Sequence, residues 1–380
     1  MEYLCFIMYL RQLNLINFKN YSEVSVEFSP TVNCFTGTNG SGKTNLLDAI
    51  HYLSMTRSYF HAGDTQNIKH GEQMLFIQGD FIRNGMEESV YCGIKTGQKK
   101  QFKRNQKEYD RLSDHIGEFP VVMIAPTDQE LITEGSEVRR KFIDSIISQY
   151  DHDYLEALIN YNKILQQRNA LLKQAYVSGF IDWSVFVVWD EQLVNFGEKI
   201  VAKRKEFIAG FEPLFHDLFN FICGNREAAT LTYESRLNEF SFAELLGMSQ
   251  TKDLNLQYTT AGIHKDDLLI SLKGYPAKKY ASQGQQKSLV IALKLAHYKF
   301  LCEKGISKPI VLLDDIFDKL DEGRVLRLME WISRDGFGQI CITDSHADRI
   351  AKIFNEIQIP IRLFRVTDNA VHDVAITETT

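Results

Sequence analysis

The chain has 380 residues, of which 44% are hydrophobic, and its formal net charge is −6. This length is enough for one large domain or for two to three ordinary ones, and the apolar fraction allows a sizeable core. The negative charge argues against a uniformly basic coat for nucleic acid, so any DNA contact must come from a local patch.

The beginning of the chain lacks the features of a targeting signal. Residues 1–7 are apolar but have neither a basic start nor a cleavage site, and the strand pattern begins at Tyr9, so Met8 is an alternative start. Nowhere does an apolar run reach the length of a membrane span. The six cysteines have no CxxC spacing and suggest neither a disulfide framework nor a zinc site. We therefore expect a globular, cytoplasmic protein.

Two strands are predicted at the start of the patterned chain. Apolar residues alternate with polar ones on both sides of residues 20–23, at Leu13, Leu15, Val24, Val26 and Phe28. This alternation predicts two strands joined by a turn, the opening strands of a sheet.

A phosphate-binding loop follows. The segment fits GxxxxGK[ST] at every fixed position and comprises Gly37, Thr38, Asn39, Gly40, Ser41, Gly42, Lys43 and Thr44. A short strand precedes it and a helical pattern follows it, which favours this interpretation over an ordinary glycine-rich turn. Backbone N–H groups and the helix N-terminus would bind phosphate oxygens. Lys43 would reach the β- and γ-phosphates and Thr44 would contact Mg²⁺, so ATP and Mg²⁺ are the expected ligands.

Short alternating segments between residues 73 and 123 predict antiparallel β structure. Within them lies the densest cationic run of the chain, residues 95–107, with Lys99, Lys100, Lys103 and Arg104 at its centre. A solvated hairpin face is one interpretation. The other is a patch that follows DNA phosphates and releases counterions from a duplex.

After Pro126 the pattern changes to long helices. The spacing predicts one apolar face with Leu155, Leu158, Tyr161, Leu165 and Leu172, and another with Leu193, Phe196, Ile200 and Phe207. It is not a sustained heptad repeat, so a short packed arm is expected rather than a long coiled coil.

Two further segments complete a predicted nucleotide site. An apolar strand over residues 310–313 ends in Asp314 and Asp315, where Asp314 would hold the metal through water and Asp315 would polarise an attacking water. A turn with Ser282, Gly284 and Gln286 opens a helix and offers another anion site, although Ser282 would also serve as a simple N-cap.

In this order the motifs resemble the nucleotide-binding heads of the ABC/SMC class, and more closely the bacterial RecF family. The resemblance covers nearly the whole chain and is carried by residues 15–21, 37–44, 126–144, 262–267, 280–287 and 312–321. The chain departs from the family pattern at Lys19, Lys265 and Lys287, where arginine is usual, and at Ile263, where proline is usual. Lysine keeps the charge but loses the bidentate geometry of arginine.

The resemblance implies an α/β fold, with an ABC/SMC-like P-loop ATPase head assembled from residues 1–135 and 255–380, an antiparallel β subdomain at about 73–123, and a helical arm at 136–254. It implies a homodimer formed on ATP, with Ser282, Gly284 and Gln286 facing the nucleotide of the opposite subunit. Asp321 resembles the D-loop acid. His346 resembles the switch histidine of ABC ATPases, although an exposed loop histidine fits equally.

The activity implied by the resemblance is weak, DNA-stimulated ATP hydrolysis in DNA repair, replication and the SOS response. The expected partners are double-stranded DNA, single-strand/double-strand junctions, RecR, RecO and a RecA-type recombinase. The rivals are a transporter ATPase subunit, an ATPase-coupled nuclease of the OLD type, and a nucleotide-gated scaffold without turnover. The long separation of the phosphate loop from Asp314 favours an SMC-like head over a transporter ATPase, and residues after Asp348 leave little room for a nuclease domain.

Overall fold

A computed structural model describes residues 8–224, 227–305, 307–317, 322–334 and 337–374. Contacts divide the chain into two compact units. The first comprises residues 1–128, 218–224 and 287–380, and the second comprises residues 129–217 and 225–286. The predicted division into a head and a 136–254 arm stays a prediction.

The strands of the described residues are β1 (Met8–Phe18), β2 (Tyr21–Glu27), β3 (Val32–Thr36), β4 (Met74–Arg83), β5 (Met86–Lys95), β6 (Gln101–Arg104), β7 (Lys107–Glu108), β8 (Val121–Ile124), β9 (Ala229–Glu234), β10 (Asp267–Leu272), β11 (Tyr275–Pro276), β12 (Ile310–Asp314), β13 (Ile340–Asp344), β14 (Ile361–Thr367) and β15 (Ala370–Val374). The α-helices are α1 (Lys43–Met55), α2 (Glu130–Thr133), α3 (Ser136–Ile147), α4 (His152–Ser178), α5 (Val187–Cys223), α6 (Phe242–Leu256), α7 (Ala277–Tyr280), α8 (Gln283–Glu303), α9 (Glu322–Arg334) and α10 (Ala347–Glu356).

A mostly parallel sheet in the first unit carries the phosphate loop. Its order is β15-β14-β3-β13-β12-β8, and only β15 pairs antiparallel. Every residue of β3, β12 and β13 is buried, as is usual for parallel strands covered on both faces. Because the carboxyl ends of parallel strands share one edge, the loop after β3 and the residues at the ends of β12 and β13 meet there.

An antiparallel sheet in the same unit has the order β2-β1-β4-β5-β6-β7. It confirms the two opening strands and the antiparallel β structure from residue 74 to residue 108, and joins them in one sheet. The predicted antiparallel range extended to residue 123, but its last strand, β8, pairs parallel with β12. Helix α1 lies in a core to which both sheets contribute, and its side chains are buried almost all round. A helix that follows a phosphate loop is thereby fixed on both sides, which holds the loop in place.

Helices α3, α4 and α6, most of α5 and the β11-β10-β9 sheet form the second unit. The buried face of α4 is Tyr154, Ala157, Tyr161, Ile164, Arg168 and Leu172, whereas Leu155, Leu158 and Leu165 are only half-buried. The predicted face of α4 was therefore partly wrong. Arg168 is fully buried and pairs with Asp190 at 2.6 Å and Asp253 at 2.8 Å, so the buried face includes a charged residue.

Among the described residues, no helix combines the length and apolar character needed to cross a bilayer.

Candidate nucleotide site

The phosphate loop connects β3 to α1 through a backbone that needs glycine. Gly40 and Gly42 have φ angles of 82° and 109°, a region that disfavours residues with a Cβ atom. A Cβ at Gly42 would lie 2.4 Å from Asn20 Nδ2 and 2.7 Å from the Tyr21 hydroxyl oxygen. At Gly40 a Cβ would meet no atom within 4 Å. Glycine at position 42 is therefore required by both conformation and packing.

Asparagine side chains outside the GxxxxGK[ST] motif stabilise the loop by hydrogen bonds. Asn20 donates to the Ser41 carbonyl at 3.3 Å and accepts from Asn45 at 2.6 Å. The Ser41 hydroxyl is buried and has no hydrogen-bond partner among the described residues. A buried hydroxyl without a partner in a phosphate-binding loop suits a phosphate oxygen.

Lys43 lies at the first position of α1 and folds back over the loop. Its Nζ atom donates to the Gly37 carbonyl at 2.6 Å and to the Thr38 carbonyl at 2.9 Å. Burial lowers the pKa of the Lys43 ammonium group, and the nearby carboxylates of Asp315 and Asp314 oppose that shift. A cation held this way is ready to exchange carbonyl contacts for phosphate oxygens.

The predicted metal ligands are brought together at the edge of the parallel sheet. Thr44 donates its hydroxyl hydrogen bond to Asp314 Oδ1 at 2.8 Å, across 270 residues of sequence, and Thr343 donates to the same oxygen at 2.8 Å. Burial raises the pKa of the Asp314 carboxyl group, and the bonds from Thr343 and Thr44 oppose this. Asp315 follows with a left-handed backbone, φ 49°, and its N–H donates to Thr343 Oγ1 at 3.0 Å.

These groups fit a nucleotide with magnesium. One cleft is lined by Asn39, Gly40, Gly42, Lys43, Thr44, Asn45, Asp314, Asp315 and Thr343. Its hydroxyl and carboxylate oxygens are the ligand type that Mg²⁺ prefers. Within the described ranges, no cluster of three or more His, Cys, Asp or Glu side chains could hold a metal ion with protein ligands alone. A magnesium ion bound here would take its other ligands from phosphate and water, as is usual for this ion.

His346 stands at the rim of the first unit as the N-cap residue of α10. Its side chain is 68% exposed, and its Nδ1 atom lies 3.6 Å from Asp344 Oδ1. The buried Asp344 carboxylate also accepts from the His346 backbone N–H at 2.6 Å and pairs with Arg349 at 2.5 Å. The neighbouring Ser345 donates to Asn39 of the phosphate loop at 3.0 Å, which links the segment after β13 to the loop.

The signature turn, residues 281–286, is built within the second unit. Ser282 N–H donates to Gln285 Oε1 at 2.7 Å, and Gln285 N–H donates to the Ser282 hydroxyl at 3.3 Å, so Ser282 does cap α8. Gln285 also donates to Glu227 at 2.6 Å. Gln286 donates to the Ala281 carbonyl at 3.2 Å. Gly284 lies in the first turn of the helix, so the turn has a fixed shape with an exposed Ser282.

The four central cations of the run, which the sequence left open as a solvated hairpin face or a DNA-binding patch, have different surroundings. Lys100 is largely buried and pairs with Asp64 at 2.9 Å, and Arg104 pairs with Glu88 at 2.5 Å and Glu118 at 2.7 Å. Lys103 and Arg104 are consecutive residues of β6 and so point to opposite faces of the sheet.

The Lys103 ammonium lies 5.7 Å from the centre of the Tyr91 ring, and Lys99 is exposed. The DNA-binding role of all four cations stays a prediction. Asp321 lies outside the described residues.

Sequence reasoning missed several residues that shape the site. These are Asn20, Asn45, Thr343, Gln285 and Glu227. The nearest signals were the asparagine in the β1–β2 turn and the threonine near the end of the apolar strand β13. Neither residue type indicates by itself which distant group it will contact.

Fold and site together define a P-loop nucleotide-binding head of the ABC/SMC class. The family model described as the RecF/RecN/SMC N terminal domain matches residues 9–369. The chain is 47% identical over 359 residues to the "DNA replication and repair protein RecF" of Flavobacterium johnsoniae, covering 94% of this chain and 100% of the relative. It therefore belongs to the RecF family, as the motifs predicted.

Solved structures agree with this assignment. The structure of the recombination mediator protein RecF with ATP, in the RecFOR pathway, has a TM-score of 0.89 at 28% identity and covers 99% of this chain and 100% of that one. An Smc head domain from Pyrococcus furiosus, at 17% identity, has a TM-score of 0.56 with 98% and 97% covered, which shows a shared fold. The predicted fold class is confirmed.

Proposed function

We propose that this chain is an ATP-dependent, DNA-binding recombination mediator of DNA replication and repair. The observation that carries the proposal is the 2.8 Å bond between Thr44 and Asp314, which joins the phosphate loop to the end of β12, the two segments that would hold the nucleotide and magnesium. The relatives named as DNA replication and repair proteins support the cellular role. The RecF structures with ATP and its analogue support the nucleotide.

Nucleotide binding would use the loop residues Gly37 to Thr44. Backbone amides and the Ser41 hydroxyl would hold phosphate oxygens, and Lys43 would neutralise the β- and γ-phosphates. Magnesium would be held by Thr44 directly and by Asp314 through water. When bound, the ion supplies charge neutralisation on the phosphates.

Hydrolysis would use Asp315, which directly follows β12 and whose carboxylate would orient and polarise a water molecule. His346, next to the segment that contacts Asn39, would sense the γ-phosphate. We propose that ATP hydrolysis is weak and that DNA stimulates it. A nucleotide site that is completed only when two subunits associate hydrolyses ATP only in the assembled dimer.

Association would supply the rest of the site. In this proposal ATP joins two copies of the chain, and each copy presents Ser282, Gly284 and Gln286 to the nucleotide of the other. The bonds that Gln285 forms with Ser282 and Glu227 support the proposal, because they hold the turn in one shape before any nucleotide docks. Asp321 would contribute to the same interface, on the strength of the family resemblance alone.

The proposed partners are double-stranded DNA, its junctions with single strands, RecR, RecO and a RecA-type recombinase, in the cytoplasm. The test is the mass of the protein in solution with and without ATP and duplex DNA. We expect ATP to double the mass and DNA to bind in a salt-sensitive way, while Lys43→Ala stays monomeric.

Failure of ATP to change the mass would contradict the dimer. Failure to bind duplex DNA would favour a transporter ATPase subunit, and dimerisation without phosphate release would favour a scaffold.

A further inference from the structure

An exposed aromatic and basic surface lies beside the signature turn and has no role in the site described above. It is formed by residues 273–280, which comprise the β10–β11 turn, strand β11 and helix α7. Tyr275 and Tyr280 are 59% and 65% exposed, an unusual degree for large aromatic side chains. Lys278 and Lys279 lie between them and are exposed as well.

The backbone holds this surface rigidly. Lys273 and Gly274 both have positive φ angles, 53° and 81°, as in the two-residue turns that join strands tightly. Ala277, at the start of α7, is fully buried. The Tyr275 and Tyr280 rings contact each other, with centroids 5.2 Å apart and planes inclined by 52°. The rings are therefore supported, and their outer faces remain open to solvent.

The charge of this surface is opposite to that of the chain as a whole. Lys273, Lys278 and Lys279 lie within seven residues of sequence in a protein of net charge −6. Lys273 is paired with Glu227 at 3.2 Å, and Lys278 contacts the Glu134 carbonyl oxygen at 3.5 Å. Lysines that flank aromatic faces complement a ligand with phosphates and flat rings.

We propose that residues 273–280 bind single-stranded nucleic acid, with Tyr275 and Tyr280 stacking on unpaired bases and Lys278 and Lys279 contacting the flanking phosphates. Exposed aromatic faces favour a single strand over a duplex, because bases in a duplex are already stacked on each other. The inference rests on the proposed DNA-binding function and deepens it. It assigns the single-strand side of a junction to this surface and leaves the duplex to other residues.

The test compares binding of two fluorescently labelled probes in the absence of nucleotide. One is an oligo-dT of about 20 nucleotides, longer than the roughly 4–16 nucleotides that one single-strand-binding module covers, and the other is a blunt duplex. The variants are Tyr275→Ala with Tyr280→Ala, and Tyr275→Phe with Tyr280→Phe. Tyr176→Ala is the matched control, since Tyr176 is 52% exposed in the same unit but far away in sequence.

We expect each lost stack to weaken oligo-dT binding by roughly 5- to 100-fold, while duplex binding stays the same. The phenylalanine variant keeps the ring faces and should bind as the parental protein does, as should Tyr176→Ala. Replacing Lys278 and Lys279 by alanine should lower the slope of log affinity against log salt by about 1.4, the value for two single-strand phosphate contacts.

Parental affinity for oligo-dT in the double-alanine variant would overturn this proposal while leaving duplex binding, and hence the proposed function, in place. If that variant also loses ATP-driven association, the tyrosines belong to the subunit interface. If the double-alanine variant lost affinity for oligo-dT and for the duplex equally, stacking of the tyrosines on unpaired bases would be overturned. A parental protein that binds neither probe would overturn the site and the proposed DNA-binding function together.

Discussion

Gly42→Ala is the substitution that tests the phosphate loop most sharply. At φ 109° a residue with a Cβ atom costs about 1–2 kcal/mol. The new atom would lie 2.4 Å from Asn20 Nδ2, and Asn20 cannot move without losing its bonds to Ser41 and Asn45. Overpacking of this kind adds about 1–3 kcal/mol. We therefore expect the free energy of unfolding to fall by about 2–5 kcal/mol, and ATP binding to be lost.

Gly40→Ala provides the matched control. Its φ angle is also positive, at 82°, but a Cβ there meets no atom within 4 Å. Only the conformational cost of about 1–2 kcal/mol is expected. Urea unfolding followed by tryptophan fluorescence gives both values, provided that the m-value is unchanged. Equal destabilisation by the two substitutions would refute the claim that Asn20 and Tyr21 enclose the loop at Gly42.

Asp315→Asn should retain ATP but slow phosphate release by about 100-fold or more, so that the ATP-bound state persists. Release at the parental rate would exclude Asp315 as the group that polarises the attacking water. Lys294→Met should lower the free energy of unfolding, measured in urea, by about 3–5 kcal/mol. In the parental protein Lys294 Nζ lies 2.7 Å from the buried Asp128 carboxylate, and the substitution leaves that carboxylate without its cation. Adding Asp128→Asn should restore most of this loss, and an unchanged loss would contradict the pairing. Replacing Lys99 and Lys103 by glutamine should weaken duplex binding for all DNA sequences. It should also lower the slope of log affinity against log salt concentration by about 0.9 per lost phosphate contact. An unaltered slope would indicate that residues 95–107 form a solvated hairpin face.

The parts of the site that the sequence predicted are those whose residue types and spacing lie within one short segment of the chain. The phosphate loop has fixed residue types between a strand and a helix, and Asp314 ends a continuously apolar strand. Parallel strands share an edge, so the meeting of Thr44 with Asp314 followed from these two patterns. Thr343 was not predicted as a contact of Asp314, because that contact depends on β13 pairing between β3 and β12, which no local pattern specifies.

Charged residues whose partners are distant in sequence account for contacts that were not predicted. Arg104 pairs with Glu88 and Glu118, and Lys100 with Asp64, so cations that looked available for DNA are engaged within the protein. On α4, the predicted apolar face did not include Arg168, which is fully buried. Its burial depends on carboxylates from two other helices, and this moved the true apolar face away from the predicted one.

The shared nucleotide site is tested most directly by mixing two inactive variants. Ser282→Arg keeps the phosphate loop but blocks the signature turn, and Lys43→Ala does the reverse. In mixed dimers one site is intact and the other is doubly defective. We expect ATPase activity to recover in an equal mixture to at most about half of the parental value, because each mixed dimer has one intact site of two. If the mixture stays inactive while Ser282→Arg still dimerises on ATP, the site is not shared between subunits.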